Sequence, residues 1–189
     1  MTRSAYRIVR GGWCEAARRF ASPNQDDRPE GIGIELLVIH CISLPPGEYG
    51  GNAIGDLFAN RLDHDAHPYF AQLRGLRVSS HFLVRRDGAL DQFVDCERRA
   101  WHAGASCFEG RERCNDFSIG IELEGVDTAG FETRQYATLA ALTRALWKRY
   151  PLRAVRGHSE IAPERKGDPG PFFDWPRYLR LGRLPSSAR

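Results

Sequence analysis

Residues 36–40 run Leu36-Leu37-Val38-Ile39-His40, four apolar positions closed by an imidazole, with no turn former among them. A short unbroken apolar run is how a strand buried on both faces reads, whereas a half-solvated strand alternates apolar with polar. The flanking segments are consistent with a sheet built around such a strand. Downstream, Pro45-Pro46-Gly47-Glu48-Tyr49-Gly50-Gly51 is a turn-rich loop and residues 53–62 suit a short helix. Residues 81–85 and 90–94 flank Arg86-Asp87-Gly88 and predict a hairpin. Phe117-Ser118-Ile119-Gly120-Ile121-Glu122-Leu123 alternates apolar with small or polar residues, as a strand does.

The clearest helix covers about residues 133–150. Tyr136, Leu139, Ala140, Thr143, Leu146, Trp147 and Tyr150 recur at the spacing of one helical face, and Pro151 ends the run. Ala154-Val155-Arg156-Gly157-His158 predicts another short strand ending in a turn. Asp174 is placed to cap a last helix, with Pro176 in its first turn. Upstream, residues 1–34 read as an irregular arm around the polar stretch Ser22-Pro23-Asn24-Gln25-Asp26-Asp27-Arg28-Pro29. Hairpin strands together with a strand after a long helix give a mixed α/β (α+β) fold, a single domain with a mixed sheet flanked by helices. The expected division is an arm over 1–34 packed on the same domain, the main body over 35–182, and a tail over 183–189.

A chain of 189 residues suits one domain with a core of its own. Its 27 Lys and Arg are interspersed with 24 Asp and Glu, for a formal charge of +3. No basic block marks a nucleic-acid partner. No stretch approaches the roughly 20 apolar residues of a membrane span. The first ten residues carry charge but no apolar core or small-residue cleavage site, so no secretory signal is expected. Cys14, Cys41, Cys96, Cys107 and Cys114 are odd in number and none forms a C-x-x-C, which fits a reduced, cytoplasmic protein. Nothing in the sequence sets an oligomeric state.

Three side chains suit a metal. His40 closes the first buried strand, His158 closes the strand after the long helix, and Asp168 lies ten residues further on in Lys166-Gly167-Asp168-Pro169-Gly170-Pro171. Zinc takes imidazole nitrogen and carboxylate oxygen, and a catalytic site uses three protein ligands and leaves a position open. On spacing alone the alternative stands beside it: two interior histidines with satisfied hydrogen bonds, and a turn aspartate. Asp63-His64-Asp65-Ala66-His67 is a rival metal cluster or, before Pro68, a solvated loop. His81 and His102 read as core histidines or as supports behind a ligand. Glu122 and Glu124 share one strand face, which offers either a general base or a solvated edge. Lys166 is placed to reach a carbonyl at the metal, or is a surface lysine.

Several segments together resemble the zinc amidases that cleave N-acetylmuramoyl-L-alanine bonds, a family that shares its fold with peptidoglycan-recognition proteins. They are Leu36 to His40, Ile42 to Glu48, His67-Pro68-Tyr69-Phe70, Leu83 to Gly88, Arg99 to Gly104, Gly110 to Gly125 and Gly157 to Pro171, within a likeness spanning about residues 10–180. The resemblance implies a mixed sheet with a zinc cleft on one face, zinc ligands at His40, His158 and Asp168, a catalytic glutamate at Glu122 and a lysine assisting the transition state at Lys166. It implies Arg77 and Arg113 as partners of stem-peptide carboxylates and Trp101 along the sugar end; surface ion pairs and core packing are the alternatives. With no export signal, the expected substrates are imported 1,6-anhydro-muropeptides, small molecules of cell-wall recycling whose removal limits β-lactamase induction. A non-catalytic muropeptide-binding module is the competing reading. The sequence departs from the family at Cys41, where asparagine usually follows the first zinc histidine. A thiolate there would be a fourth ligand, except that neighbours in an extended segment point to opposite faces.

Overall fold

The structure, a computed structural model, describes residues 6–189; the first five residues of the expected arm lie outside the described residues. In chain order the strands are β1 (Arg18–Arg19), β2 (Gln25–Asp27), β3 (Leu36–Ile42), β4 (Phe82–Val84), β5 (Leu90–Gln92), β6 (Arg98–Ala100), β7 (Cys107–Phe108), β8 (Arg111–Glu112), β9 (Ser118–Glu124) and β10 (Ala154–Gly157). The α-helices are α1 (Ala53–Phe58), α2 (Pro68–Ala71), α3 (Thr133–Arg149), α4 (His158–Ile161) and α5 (Trp175–Gly182). The main sheet has six strands in the order β1-β5-β4-β9-β3-β10. β3 pairs in parallel with both β9 and β10, β4 runs parallel to β9, and β4 and β5 form the antiparallel hairpin. The fold is therefore a mixed α/β one.

Side-chain alternation sorts the sheet into two faces. Leu37 and Ile39 of β3 and Ile119, Ile121 and Leu123 of β9 join one core with Leu139, Leu142 and Leu146 of α3 and Tyr178 of α5. Leu36 and Val38 point the other way, into a second cluster with Phe108 and Phe117. Hydrophobic burial on both sides explains the unbroken apolar run of β3. Gln135, in the first turn of α3, ties that helix to the sheet by donating to the carbonyls of Val84 (3.2 Å) and Glu124 (2.9 Å). Asp174 caps α5 by accepting from the Arg177 amide at 2.9 Å. Thr143 and the buried Tyr178 hydroxyl join α3 to α5 at 2.8 Å.

Three expectations need correction. The arm is not irregular throughout: β1 extends the main sheet beside β5, and β2 pairs with β6. The helix expected over 53–62 ends at Phe58, because Asn60 takes a left-handed backbone that a helix cannot continue through. His158 does not close a strand but opens α4, whose preceding Gly157 amide donates to the Glu160 carboxylate at 2.6 Å. The tail docks, with Ala188 buried and its carbonyl accepting from Arg156 at 3.0 Å.

Candidate metal centre and cleft

Parallel pairing puts the ends of β3, β9 and β10 side by side. The register sets His40 beside Glu122 and Ile39 beside Gly157, so His158 arrives next to His40 one residue past the strand. His40 shares its face with Leu36 and Val38, and Glu122 shares its face with Ser118 and Gly120. A cleft of about 680 Å³ opens there, within the usual range for small-molecule sites. The Asp168 loop closes onto it through two close approaches. Its carbonyl accepts from the Ser159 amide at 2.9 Å, and Gly170, at φ +86°, passes so near the Asp127 backbone that a Cβ would sit 2.1 Å from it.

Three ligand atoms converge. His40 Nδ1 lies 3.0 Å from His158 Nδ1 and 3.1 Å from Asp168 Oδ2, and His158 Nδ1 lies 3.2 Å from the same oxygen. Ligand atoms on a tetrahedral zinc with bonds of about 2.0–2.2 Å stand about 3.3–3.6 Å apart, so the cluster fits such an ion after opening by a few tenths of an ångström. Both imidazoles are 2% exposed, and burial pulls His40 down to about 4, which leaves it neutral at physiological pH as a metal ligand must be. Among the described residues these three form the one His/Cys/Asp/Glu group with ligand atoms this close.

Glu122 borders the same space. Its Oε2 is buried without a hydrogen-bond partner. Burial pushes its carboxyl well above the usual range, the charge of Asp168 pushes the same way, and Lys166 pulls it down. A buried, unpaired carboxylate in a cleft is costly to keep and is where acid–base chemistry is found. Glu124, on the same face, is spent on structure: it accepts from the amides of Gly50 (2.7 Å) and Arg86 (3.0 Å) and pairs with Arg85 (3.3 Å).

The other candidates sort by position. Lys166, Arg77 and Trp101 line the cleft, and Arg77 has no ion-pair partner among the described residues. Arg113 is not among the residues that line the cleft; it sits at φ +60° and pairs with Asp116 at 3.3 Å while 69% exposed. The Cys41 side chain packs against the α3 core, so its sulfur lies across the strand from His40 and outside the ligand group, and burial pushes its thiol up. His67 caps α2 by accepting from the Tyr69 amide (3.1 Å), and His64 bonds the Phe70 carbonyl (2.8 Å), so the rival cluster serves the chain's own backbone. Sequence reasoning passes over Asn115 and Arg165. Arg165 staples the cleft wall by donating to the carbonyls of Ala103 (2.8 Å) and Ala105 (2.7 Å); its one signal in the sequence is that it precedes Lys166.

Known proteins resemble this chain over most of its length. The family described as N-acetylmuramoyl-L-alanine amidase matches residues 29–171. The 1,6-anhydro-N-acetylmuramyl-L-alanine amidase AmpD of Citrobacter freundii is 58% identical over 172 residues, covering 90% of this chain and 92% of its own. A crystal structure of a selenomethionine derivative of AmpD superposes with a TM-score of 0.90 at 56% identity, over 92% of this chain and 98% of that one. The Escherichia coli amidase AmiD, solved with the substrate anhydro-N-acetylmuramic acid-L-Ala-D-γ-Glu-L-Lys, superposes with a TM-score of 0.57 at 31% identity, over 94% and 66%.

Proposed function

Because the chain belongs to the N-acetylmuramoyl-L-alanine amidase family, we propose that it hydrolyses the amide between 1,6-anhydro-N-acetylmuramic acid and L-alanine in muropeptides, with zinc held by His40, His158 and Asp168. The observation that carries this reading is the convergence of two imidazole nitrogens and one carboxylate oxygen, 3.0–3.2 Å apart, beside an unpaired buried glutamate. Bound there, zinc supplies Lewis acidity, polarising a carbonyl and bringing a water's pKa from 15.7 to about 7.

The chain's own residues do the rest. Glu122 takes a proton from the attacking water at its carboxylate as the new C–O bond forms. It then delivers that proton to the alanine nitrogen as the C–N bond breaks, since an amine leaves poorly unprotonated. Burial raises its pKa, which strengthens it as the proton acceptor of the first step. The Lys166 ammonium stabilises the negative charge that grows on the carbonyl oxygen. Tyr69, Leu73 and Trp101 on the apolar wall of the cleft face the sugar, and Arg77 meets a stem carboxylate with its fork of donors.

A binding-only module has no use for an orphaned carboxylate beside a ligand cluster, so the hydrolytic reading is preferred. Five free cysteines fit a reducing compartment, and we place the enzyme in the cytosol; among the described residues no helix is long and apolar enough to cross a membrane. The test is to count zinc in the purified protein and to follow a synthetic anhydro-muramoyl tripeptide by mass spectrometry. About one zinc per chain and release of free stem peptide are expected; intact substrate with zinc bound would overturn the reading.

A further inference from the structure

Each metal-facing imidazole has a second nitrogen turned away from the cluster, and both of these lead to one short segment. His40 Nε2 lies 2.9 Å from His102 Nδ1, and His158 Nε2 lies 3.1 Å from the carbonyl of the next residue, Ala103. The backbone amides of both His102 (3.2 Å) and Ala103 (2.8 Å) donate to one oxygen, Asn115 Oδ1. We infer that the dipeptide His102-Ala103, held by Asn115, fixes the tautomer of both His40 and His158, so that each presents a bare Nδ1 to the cluster. This rests on the zinc-site reading above and deepens it.

The directions follow from groups that can act in one way only. A carbonyl oxygen accepts and never donates. A neutral His158 must therefore carry its one proton on Nε2 to bond Ala103, which leaves Nδ1 unprotonated. On the other side, Ser118 Oγ stands 2.6 Å from the Cys114 carbonyl, so its hydroxyl hydrogen points there. The same Oγ is 3.2 Å from His102 Nε2 and must accept from it. His102 then has a bare Nδ1, accepts from His40 Nε2–H, and leaves His40 Nδ1 bare as well. The relay from His40 through His102 and Ser118 to Cys114 runs in one direction because its last member is a carbonyl.

Two features hold the relay rigid. A Cβ on Gly120 would lie 2.5 Å from His102 Cγ, so β9 carries glycine where the ring lies against the strand. Arg165 donates to the same Ala103 carbonyl that His158 uses, at 2.8 Å. Asn115, His102 and Ser118 are positioning residues: none of them belongs to the ligand group or touches the reacting atoms, and they act through the two imidazoles. Outer partners of this kind typically change metal affinity about 10–100-fold when lost.

The test reads the imidazoles directly. Long-range proton–nitrogen NMR on the full, metal-free chain at mildly alkaline pH should show the Nε2–H tautomer for His40 and for His158. Ser118→Ala lets His102 take its proton on Nδ1 and should disturb His40 while leaving His158 unchanged. Asn115→Ala should disturb both and lower zinc affinity, measured by chelator competition, by about 10–100-fold. Asn115→Asp keeps the accepting oxygen and should restore both readouts. An Nδ1–H tautomer at either histidine of the wild-type chain overturns the inference, as does an Asn115→Ala chain that folds with unchanged tautomers and zinc affinity. Should the tautomers come out as expected in a chain that takes up no zinc, the metal reading falls and the relay stands.

Discussion

Replacing Glu122 with Gln separates what this residue does for catalysis from what it does to the fold. The amide has the shape of the carboxylate but can neither accept nor return the proton, so kcat/KM should fall about 10²- to 10⁴-fold. That is about 2.7–5.4 kcal/mol of lost transition-state stabilisation. Stability should move the other way. Glu122 is 8% exposed, its Oε2 has no partner, and burial holds its carboxyl well above its unfolded value. For a group whose pKa is raised by folding, the protonated form favours the native state. That contribution is full below the unfolded pKa and is lost as pH rises through the folded one. Each pH unit of the upward shift is worth about 1.4 kcal/mol. In metal-free protein, Glu122→Gln should therefore melt higher than wild type, by about 2–4 °C per kcal/mol, with a gap that widens from acid toward neutral pH. The assay pairs muropeptide turnover with thermal melts between acid and neutral pH, and counts zinc in both proteins. Turnover within tenfold of wild type, or a melting gap that shrinks as pH rises, would refute the reasoning.

Asp168→Ala should cost more zinc affinity than the roughly 10–100-fold expected for an outer partner, and should abolish the rise in melting temperature that added zinc gives the wild type. Lys166→Ala removes the positive charge that pulls the Glu122 carboxyl down. The acid limb of kcat/KM should then move to higher pH, with turnover reduced by up to about 10²; a limb that stays put or moves down would exclude this coupling. Arg28 forks into the carbonyls of Cys96, Asn115, Asp116 and Ser118 at 2.8–3.3 Å. Arg28→Ala should destabilise by about 1–3 kcal/mol for each carbonyl that water cannot reach, read as a lower melting temperature. Arg113→Ala should leave KM for the muropeptide unchanged in steady-state kinetics, since Arg113 pairs with Asp116 and is not part of the cleft lining.

The sheet was legible because its signals are local. Four apolar residues before His40 announce a strand buried on both sides, Arg86-Asp87-Gly88 announces a hairpin, and the spacing from Tyr136 to Leu146 announces the helix that covers one face. Hydrophobic periodicity is written into consecutive residues and needs no knowledge of distant partners. The arm was less legible: β1 and β2 are two or three residues long, and each is a strand because β5 or β6 lies beside it. Helix α4 was missed because four residues cannot display a period.

The candidate site divides along the same line. The residue types at His40, Glu122, His158 and Asp168, and the alternation that turns Cys41 away from His40, follow from the sequence by itself. Spacing left open whether two histidines 118 positions apart in the chain meet; the parallel register of β3 with β9 and β10 brings them together. Glu122 and Glu124 are alike in the sequence, and only the tertiary structure separates them, giving Glu124 two amides and an arginine while leaving Glu122 Oε2 bare. Arg77, which lines the cleft, and Arg113, which pairs with Asp116, are likewise told apart only by the tertiary structure. Local propensity sets which strands and helices form, whereas the partners of a polar side chain are set by whatever the fold carries to within 3 Å of it, and a linear chain does not contain that information at any one place.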